Sequence, residues 1–281
     1  MSEVLVTGAA GFIGTHLLAR LRDDGHRVHG IDIADGDIAA AETWANLPKA
    51  DAVVHLAARS FVPDSWREPT AFLRDNVLGT AHALDYARAH GARVLFLSSY
   101  MYGATTVLPI PETAPVVAQN PYALSKHLGE ELCRFHAERF GIPVTVLRPF
   151  NVYGAGQSDR FLVPWIIQQI RAGGPIRVKD LEPRRDYVYV EDLVAAMVAA
   201  IAPSTGFRVS NVGSGVSHSV AELIATIQAA MGTAFPVESA DERRQDEIMD
   251  TVADISAAGR ALGWAPRFAL REGIDHLLTR A

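Results

Sequence analysis

The stretch from Val4 to Leu18 constrains this chain more than any other. Val4, Leu5 and Val6 make a short apolar run rich in β-branched residues, as a buried parallel strand requires. Glycines follow at positions 8, 11 and 14, and Ile13, Leu17, Leu18 and Leu21 then recur at helical spacing. Strand, glycine turn and helix in that order aim unpaired helix N–H groups at one spot. The helix dipole makes that spot positive, so it attracts phosphate. Gly8 permits the tight turn, Gly11 lets the backbone approach a pyrophosphate, and Gly14 lets helix and strand pack closely.

Three glycines in a chain that has 22 can also be an ordinary loop, so context decides. Arg27–Ile33 reads as the second strand, with Asp32 near its end. Asp32 lies 18 positions past Gly14, close to the spacing of an acid that binds a ribose 2′-hydroxyl. A carboxylate there repels a 2′-phosphate, and no Arg or Lys follows until Lys49. The expected cofactor is therefore NAD and not NADP.

The 281 residues suit one large domain or a domain with a lobe. A net charge of −6 without a basic run argues against nucleic acid as a partner. The single Cys133 rules out an intramolecular disulfide and a cysteine metal site, and it reads as a small buried apolar residue. The N-terminus runs straight into the first strand, which leaves no room for a signal peptide. No apolar run is long enough to span a membrane. A soluble, cytoplasmic protein with no metal is the expectation.

Further along, Ala34–Ala50 is short and partly acidic, and Asp37-Ile38 is placed at the end of a third strand. Asp51–Ala58 reads as a buried strand ending in small residues. His55 on it is better read as a hydrogen-bonded core histidine than as a ligand or base. Pro69–His90 repeats apolar residues at a period near 3.6 and reads as one long helix. Val94–Ser99 is a strand, and the prolines of 100–119 keep that segment a loop. Asn120-Pro121 caps and opens a helix that runs to about Phe140, where Gly141 stops it. Pro143–Leu147 is another strand. Alternating strands and helices give an α/β fold: a Rossmann-like doubly wound parallel sheet. The alternation loosens after Asn151, with helices expected at 162–172, within 188–201, within 217–231 and within 254–262. The chain thus divides into a dinucleotide-binding domain, 1–155, and a smaller α/β substrate lobe, 156–281, interleaved with the last sheet strands.

Tyr122 and Lys126 stand one turn apart on one helix face. A tyrosine titrates near pH 10, and bringing it to about 7 takes roughly 3 units, or about 4 kcal/mol. The helix N-terminus, the Lys126 ammonium and a nicotinamide cation are the expected sources.

With the glycine loop, that pair carries a resemblance. The chain resembles the extended short-chain dehydrogenase/reductase family, in its nucleotide-sugar epimerase/dehydratase branch. The matching stretches are Thr7–Gly14, His55–Ala58, Asn76–Thr80, Ser98–Gly103, Asn120–Lys126, Leu147–Gly154, Arg185–Asp192, Asn211–Gly215 and Leu262–Pro266, in the family's order. The resemblance implies roles. Tyr122 is the acid/base, and Lys126 holds the cofactor ribose and tunes Tyr122. NAD lies on Gly8, Gly11, Phe12, Ile13 and Gly14, with its adenosine end near Asp32, Ile33, Asp37 and Ile38. Leu56, Ala57, Ala58, Asn76, Ser98 and Phe150 complete the cofactor surface. Asn151, Arg185 and Arg244 contact the diphosphate of a nucleotide sugar, and guanidinium forks suit phosphate oxygens.

The serine motif is one residue shorter than the family's usual spacing. Counting from the strand makes Ser99 the catalytic hydroxyl, and counting back from Tyr102 makes it Ser98. Ser99 is preferred, because loops absorb length changes more readily than strands. Dehydratases of the branch resemble Thr-Asp-Glu in this region, whereas Ser98-Ser99-Tyr100 has no carboxylate. The resemblance thus implies a C4 epimerase of a nucleotide-linked hexose. A nucleotide-sugar 4-ketoreductase or dehydratase of the same family, and a non-catalytic NAD-binding protein, are the alternatives. It also implies a homodimer, joined through the two long helices.

Overall fold

In the computed structural model, all residues are described except Thr106, 243–246 and Ala281. The strands are β1 (Glu3–Thr7), β2 (Arg27–Ile31), β3 (Ala52–His55), β4 (Arg93–Leu97), β5 (Val144–Pro149) and β6 (Asn151–Tyr153). They continue as β7 (Ile176–Val178), β8 (Arg184–Tyr189), β9 (Phe207–Val212), β10 (Ser217–Ser219), β11 (Val237–Ser239) and β12 (Asp250–Thr251). The helices of the first half are α1 (Phe12–Asp23), α2 (Ala41–Ala45), α3 (Val62–Arg67), α4 (Pro69–Leu73), α5 (Gly79–His90) and α6 (Pro121–Phe140). Those of the second are α7 (Leu162–Arg171), α8 (Val190–Ala200), α9 (Val220–Met231), α10 (Ser256–Leu262) and α11 (Leu270–Arg280). No described helix is long and apolar enough to cross a membrane.

The expected doubly wound sheet is present. Six parallel strands run in the order β2-β1-β3-β4-β5-β9. Side chains alternate along each strand and feed two cores. Val4, Val6, Leu95 and Leu97 pack toward α1, α8 and α9. Leu5, Val94 and Phe96 pack on the other face with Leu84, Ala87, Cys133 and Ala137. Cys133 is fully buried, as expected of a small apolar residue. A second sheet is built on β8, which pairs with β10, β12 and β6. The second half also supplies β9, which closes the large sheet beside β5.

The register sets the position of the site. Thr7 lies opposite both Ile31 and His55, and Leu97 lies opposite Leu147. The carboxyl ends of β1 to β5 therefore share one edge, and the strand order switches direction beside β1. In an open α/β sheet, that crevice is where a ligand binds.

Three local expectations need correction. Asp37-Ile38 forms no strand: the two residues lie in turns between β2 and α2. Ile38 is buried because Gly79 opens space for it; a Cβ at 79 would lie 2.7 Å from Ile38 Cδ1. The Pro69–His90 helix contains a π-helical turn, Arg74–Leu78, between α4 and α5. Three further helices, α2, α3 and α11, occupy stretches where no helix was expected.

Candidate active site

At the end of β1 the glycine loop has the geometry its spacing implies. Gly8 sits at φ +72°, where a side chain is strained, and a Cβ there would lie 2.8 Å from the Ala57 amide nitrogen. A Cβ at Gly14 would lie 2.1 Å from the Gly8 carbonyl oxygen. Gly11 is the N-cap of α1; no side chain caps the helix and no acid lies in its first turn. The amides that open α1, at Phe12 to Gly14, thus remain for an anion. The carboxylate of Asp32 accepts from the amides of Ala10 (2.7 Å) and Ile33 (2.8 Å), which places it beside this loop. Thr7 ties the neighbouring turn down, since its hydroxyl accepts from the amides of Leu56 (3.2 Å) and Ala57 (3.1 Å). These residues fit a dinucleotide: an uncapped helix end, a floor where no side chain fits, and an acid placed for a ribose.

His55 is a core residue, as expected. It is 2% exposed, with Nδ1 2.8 Å from the Thr7 hydroxyl. Burial, with a smaller push from the Lys126 cation, lowers its pKa to about 3.

α6 carries the other half of the site. The Asn120 side chain accepts from the Ala123 amide at 2.8 Å, Pro121 follows, and Gly141 closes the helix at φ +69°. Tyr122 is thereby held in the first turn, edge-on to Phe72. Ser99 lies close enough to its phenol to lower the phenol's titration. Ser98, by contrast, has its hydroxyl oxygen shut away from solvent and without a partner. Lys126 is buried, donates to the Leu97 carbonyl at 2.8 Å and lies 5.0 Å from the Phe96 ring. Ser99, Tyr122 and Lys126 therefore converge at the carboxyl end of β4.

The expected acidic phenol is not found among the protein's own groups. Burial raises the Tyr122 pKa to about 12; the Ser99 hydrogen bond opposes this, and the nearby Tyr100 adds to it. Lys126 does not pull the phenol down: its ammonium is committed to Leu97, and burial lowers its own pKa to about 8.

Beyond Tyr122, Tyr100 stacks flat on Phe150 (centroids 4.8 Å, 14°) and donates to Asn151 Oδ1 at 3.2 Å. Asn151 Nδ2 donates to the Asp186 carbonyl at 3.2 Å, and Asn151 pairs with Tyr187 in the β6–β8 register. Arg185 is on the same strand as Tyr187, one pleat away. Its guanidinium donates to the carbonyls of Ile248 (2.6 Å) and Arg184 (2.8 Å) and to the Glu247 carboxylate. Arg244 lies outside the described residues.

Some expected cofactor contacts play supporting parts. Asn76 is buried and fully engaged: it accepts from the Arg59 amide and donates to Ser125 Oγ and the Arg59 carbonyl. Phe150 is 3% exposed beneath Tyr100. Asp37 is ion-paired with Arg74, and Ile33 is 77% exposed. Sequence reasoning also passed over Asp186. This fully buried carboxylate accepts from the amides of Ser214, Gly215 and Ala253 and so shapes the loop after β9. Its signal was its place beside Arg185 in a matching stretch.

The profile of the NAD dependent epimerase/dehydratase family matches residues 4–213. The chain belongs to that family. It is 33% identical to the UDP-glucose 4-epimerase of Mycolicibacterium smegmatis, over 97% of this chain and 96% of that protein. It is 31% identical to the GDP-6-deoxy-D-mannose reductase of Pseudomonas aeruginosa, over 99% and 96% respectively. Among solved structures, the UDP-glucose-4-epimerase from Stenotrophomonas maltophila, with bound NAD and formylated UDP-arabinopyranose, superposes with a TM-score of 0.92. That match has 28% identity and covers 100% of this chain and 98% of that one. The cofactor expected from the glycine loop is the one for which the family is named.

Proposed function

We propose that this protein is an NAD-dependent 4-epimerase of a nucleotide-linked hexose. One observation carries the reading: Ser99 lies at the end of β4 within reach of the Tyr122 phenol, with Lys126 one turn on, bonded to the Leu97 carbonyl, and no carboxylate in Ser98-Ser99-Tyr100. The 33% identity to a UDP-glucose 4-epimerase supports it.

Tyr122 takes the proton of the C4 hydroxyl. Ser99 donates a hydrogen bond to the same oxygen as it gains carbonyl character, and again as it reverts. NAD, when bound, would be held by the α1 amides, Asp32 and Lys126 and would supply a reversible hydride acceptor for C4. The 4-keto sugar turns over between the two transfers, so its other face receives the hydride, and Tyr122 gives the proton back. With the phenol at about 12, proton removal draws on positive charge brought in with the cofactor. Asn151, Arg185 and Arg244 are assigned to the diphosphate, and two copies of the chain join through α5 and α6.

The test is incubation with UDP-galactose or UDP-glucose and no added cofactor. Interconversion without net change in absorbance at 340 nm is expected, and Tyr122→Phe abolishes it. A second reading, a 4-ketoreductase, is favoured by the 31% identity to a GDP-sugar reductase. Stoichiometric loss of added NADH on a 4-keto nucleotide sugar, with no epimerisation, would establish it instead.

A further inference from the structure

After β6 the chain leaves the second sheet and runs along the first half of the protein before α7 begins. Its near end is tied to α1. A Cβ on Gly154 would lie 3.4 Å from Phe12 Cε2, and the Ala155 carbonyl accepts from His16 Nε2 at 2.8 Å. Gln157 folds back on the same end, donating to the Val152 carbonyl at 2.8 Å. The far end is tied to α3. The Arg160 guanidinium lies 3.6 Å over the Phe61 ring, and its Nη2 donates to both Asp64 carboxylate oxygens, at 2.9 Å and 2.8 Å. Phe161 meets the same ring edge-on, with centroids 5.7 Å apart. Phe61 precedes α3, and Asp64 lies in its first turn. α1 follows β1 and α3 follows β3, the neighbouring strands beside which the sheet order reverses. Residues 155–161 therefore run from one wall of the ligand crevice to the other. Between the two ties, Gly156, Ser158 and Asp159 are exposed and bury no apolar side chain.

We propose that residues 155–161 are a strap across the dinucleotide crevice, latched by Arg160 on Asp64 and Phe61, and that a bound dinucleotide leaves only after the latch opens. The inference rests on the reading of this crevice as the NAD site, and it deepens that reading. An exposed ion pair alone contributes little. This one is bidentate, its guanidinium is stacked on a ring, and a second ring backs the first, so several weak contacts act at one point. Asp64 is paired on its own helix as well, with Arg67. That second pair does not cross the crevice, so it separates the latch from the local structure of α3. The latch also suits the reaction proposed above. An epimerase regenerates its cofactor in place, so a closed strap does not slow it. A ketoreductase has to exchange cofactor, and so unlatch, once in every turnover.

The experiment loads the full chain with NADH, chases it with excess NAD and reads the release rate from the fall in NADH fluorescence. It compares the wild type with Arg160→Gln, Asp64→Asn, the two combined, and Arg67→Gln. Each of the first two should speed release by about tenfold, a factor within reach of a cation–π contact and its ion pair. The combined variant should be no faster than either alone, because the two side chains form one contact. Arg67→Gln, which leaves Arg160 on Asp64, should release NADH at the wild-type rate. Association rates should change far less than release rates. Added salt should speed release from the wild type more than from Asp64→Asn, because it screens the pair. Folded single variants that release NADH like the wild type overturn the proposal. So do effects that multiply in the combined variant, which would mean that the two side chains act independently. Equal acceleration by Arg67→Gln would trace the effect to α3 alone and overturn it too. Each of these results leaves the NAD site standing. A wild type that binds no NADH overturns that reading itself, and the latch with it.

Discussion

A Cβ placed on Gly14 would lie 2.1 Å from the carbonyl oxygen of Gly8. Both partners are backbone, so neither can swing aside. Gly14→Ala must therefore push α1 away from the end of β1 and misdirect its first amides. Overpacking of this kind costs about 1–3 kcal/mol. The expected outcome is a lowered unfolding midpoint with loss of NADH binding by more than tenfold, read by denaturation and by fluorescence titration. A Gly14→Ala protein that binds NADH like the wild type would show that the loop does not hold the pyrophosphate.

The serine ambiguity is decided by paired variants. Ser99 reaches the Tyr122 phenol, whereas the Ser98 oxygen is walled in by protein. Losing a hydrogen bond to a developing oxyanion costs about 10²–10³ in rate. Ser99→Ala is expected to lower kcat by that factor at unchanged NADH affinity, and Ser98→Ala to leave kcat within a few-fold. The reverse pattern would return the role to Ser98.

Cofactor choice follows from Asp32. Its carboxylate is held by the amides of Ala10 and Ile33, at the rim of the glycine loop. Arg59, which follows β3, and Arg74, in the π-helical turn, are themselves paired with Asp75, Glu68 and Asp37. A 2′-phosphate therefore meets an anion and no unpaired cation among these groups. NADH should bind at least about tenfold more tightly than NADPH, a difference of about 1.4 kcal/mol. Asp32→Asn should narrow the gap. Equal affinities in side-by-side titrations would refute the assignment.

Buried His55 makes stability depend on acid. Its pKa is about 3 in the fold and 6.5 when unfolded. Above 6.5 both states are neutral and nothing is lost. Between 6.5 and about 3 the unfolded chain binds a proton that the fold refuses, so stability falls as pH falls. The full loss is on the order of 5 kcal/mol. Urea midpoints at neutral and acidic pH should drop more steeply for the wild type than for His55→Gln. Parallel slopes would mean that His55 is protonated in the fold.

Some of this could be read from residues alone. Asn120-Pro121 and Gly141 marked both ends of α6 because each end uses a local signal, a side-chain cap and a left-handed glycine. Glycine spacing located the α1 loop for the same reason. What depends on distant contacts was not legible. Ile38 looks like strand, yet it is buried by a gap above Gly79, forty-one positions on. The π turn at Arg74–Leu78 leaves no mark on a 3.6-residue apolar period. Arg148 and Glu130 are 18 apart, on different elements, with no spacing rule to join them. The Tyr122 phenol was read from its neighbours in sequence, which capture charge and miss desolvation, the larger influence here.

The last prediction concerns assembly. α6 buries Ala123, Lys126 and Cys133 against the sheet and leaves an apolar stripe outside. Leu124 is 40% exposed, Leu128 38% and Phe135 51%, at spacings of four and seven residues. Leu78, at the end of the π turn that leads into α5, is 42% exposed. Apolar residues in register along one helix face are the signature of a helix that expects a partner. In the dimer proposed above, that partner would be a second copy contributing the same two helices. Light scattering at micromolar concentration should return twice the 30.4 kDa chain mass. Leu124→Glu with Leu128→Glu should return the chain mass, with helix content and NADH affinity retained, because neither side chain belongs to the cofactor surface. A wild-type monomer would leave the stripe without its expected partner, and the proposed dimer would have to be abandoned.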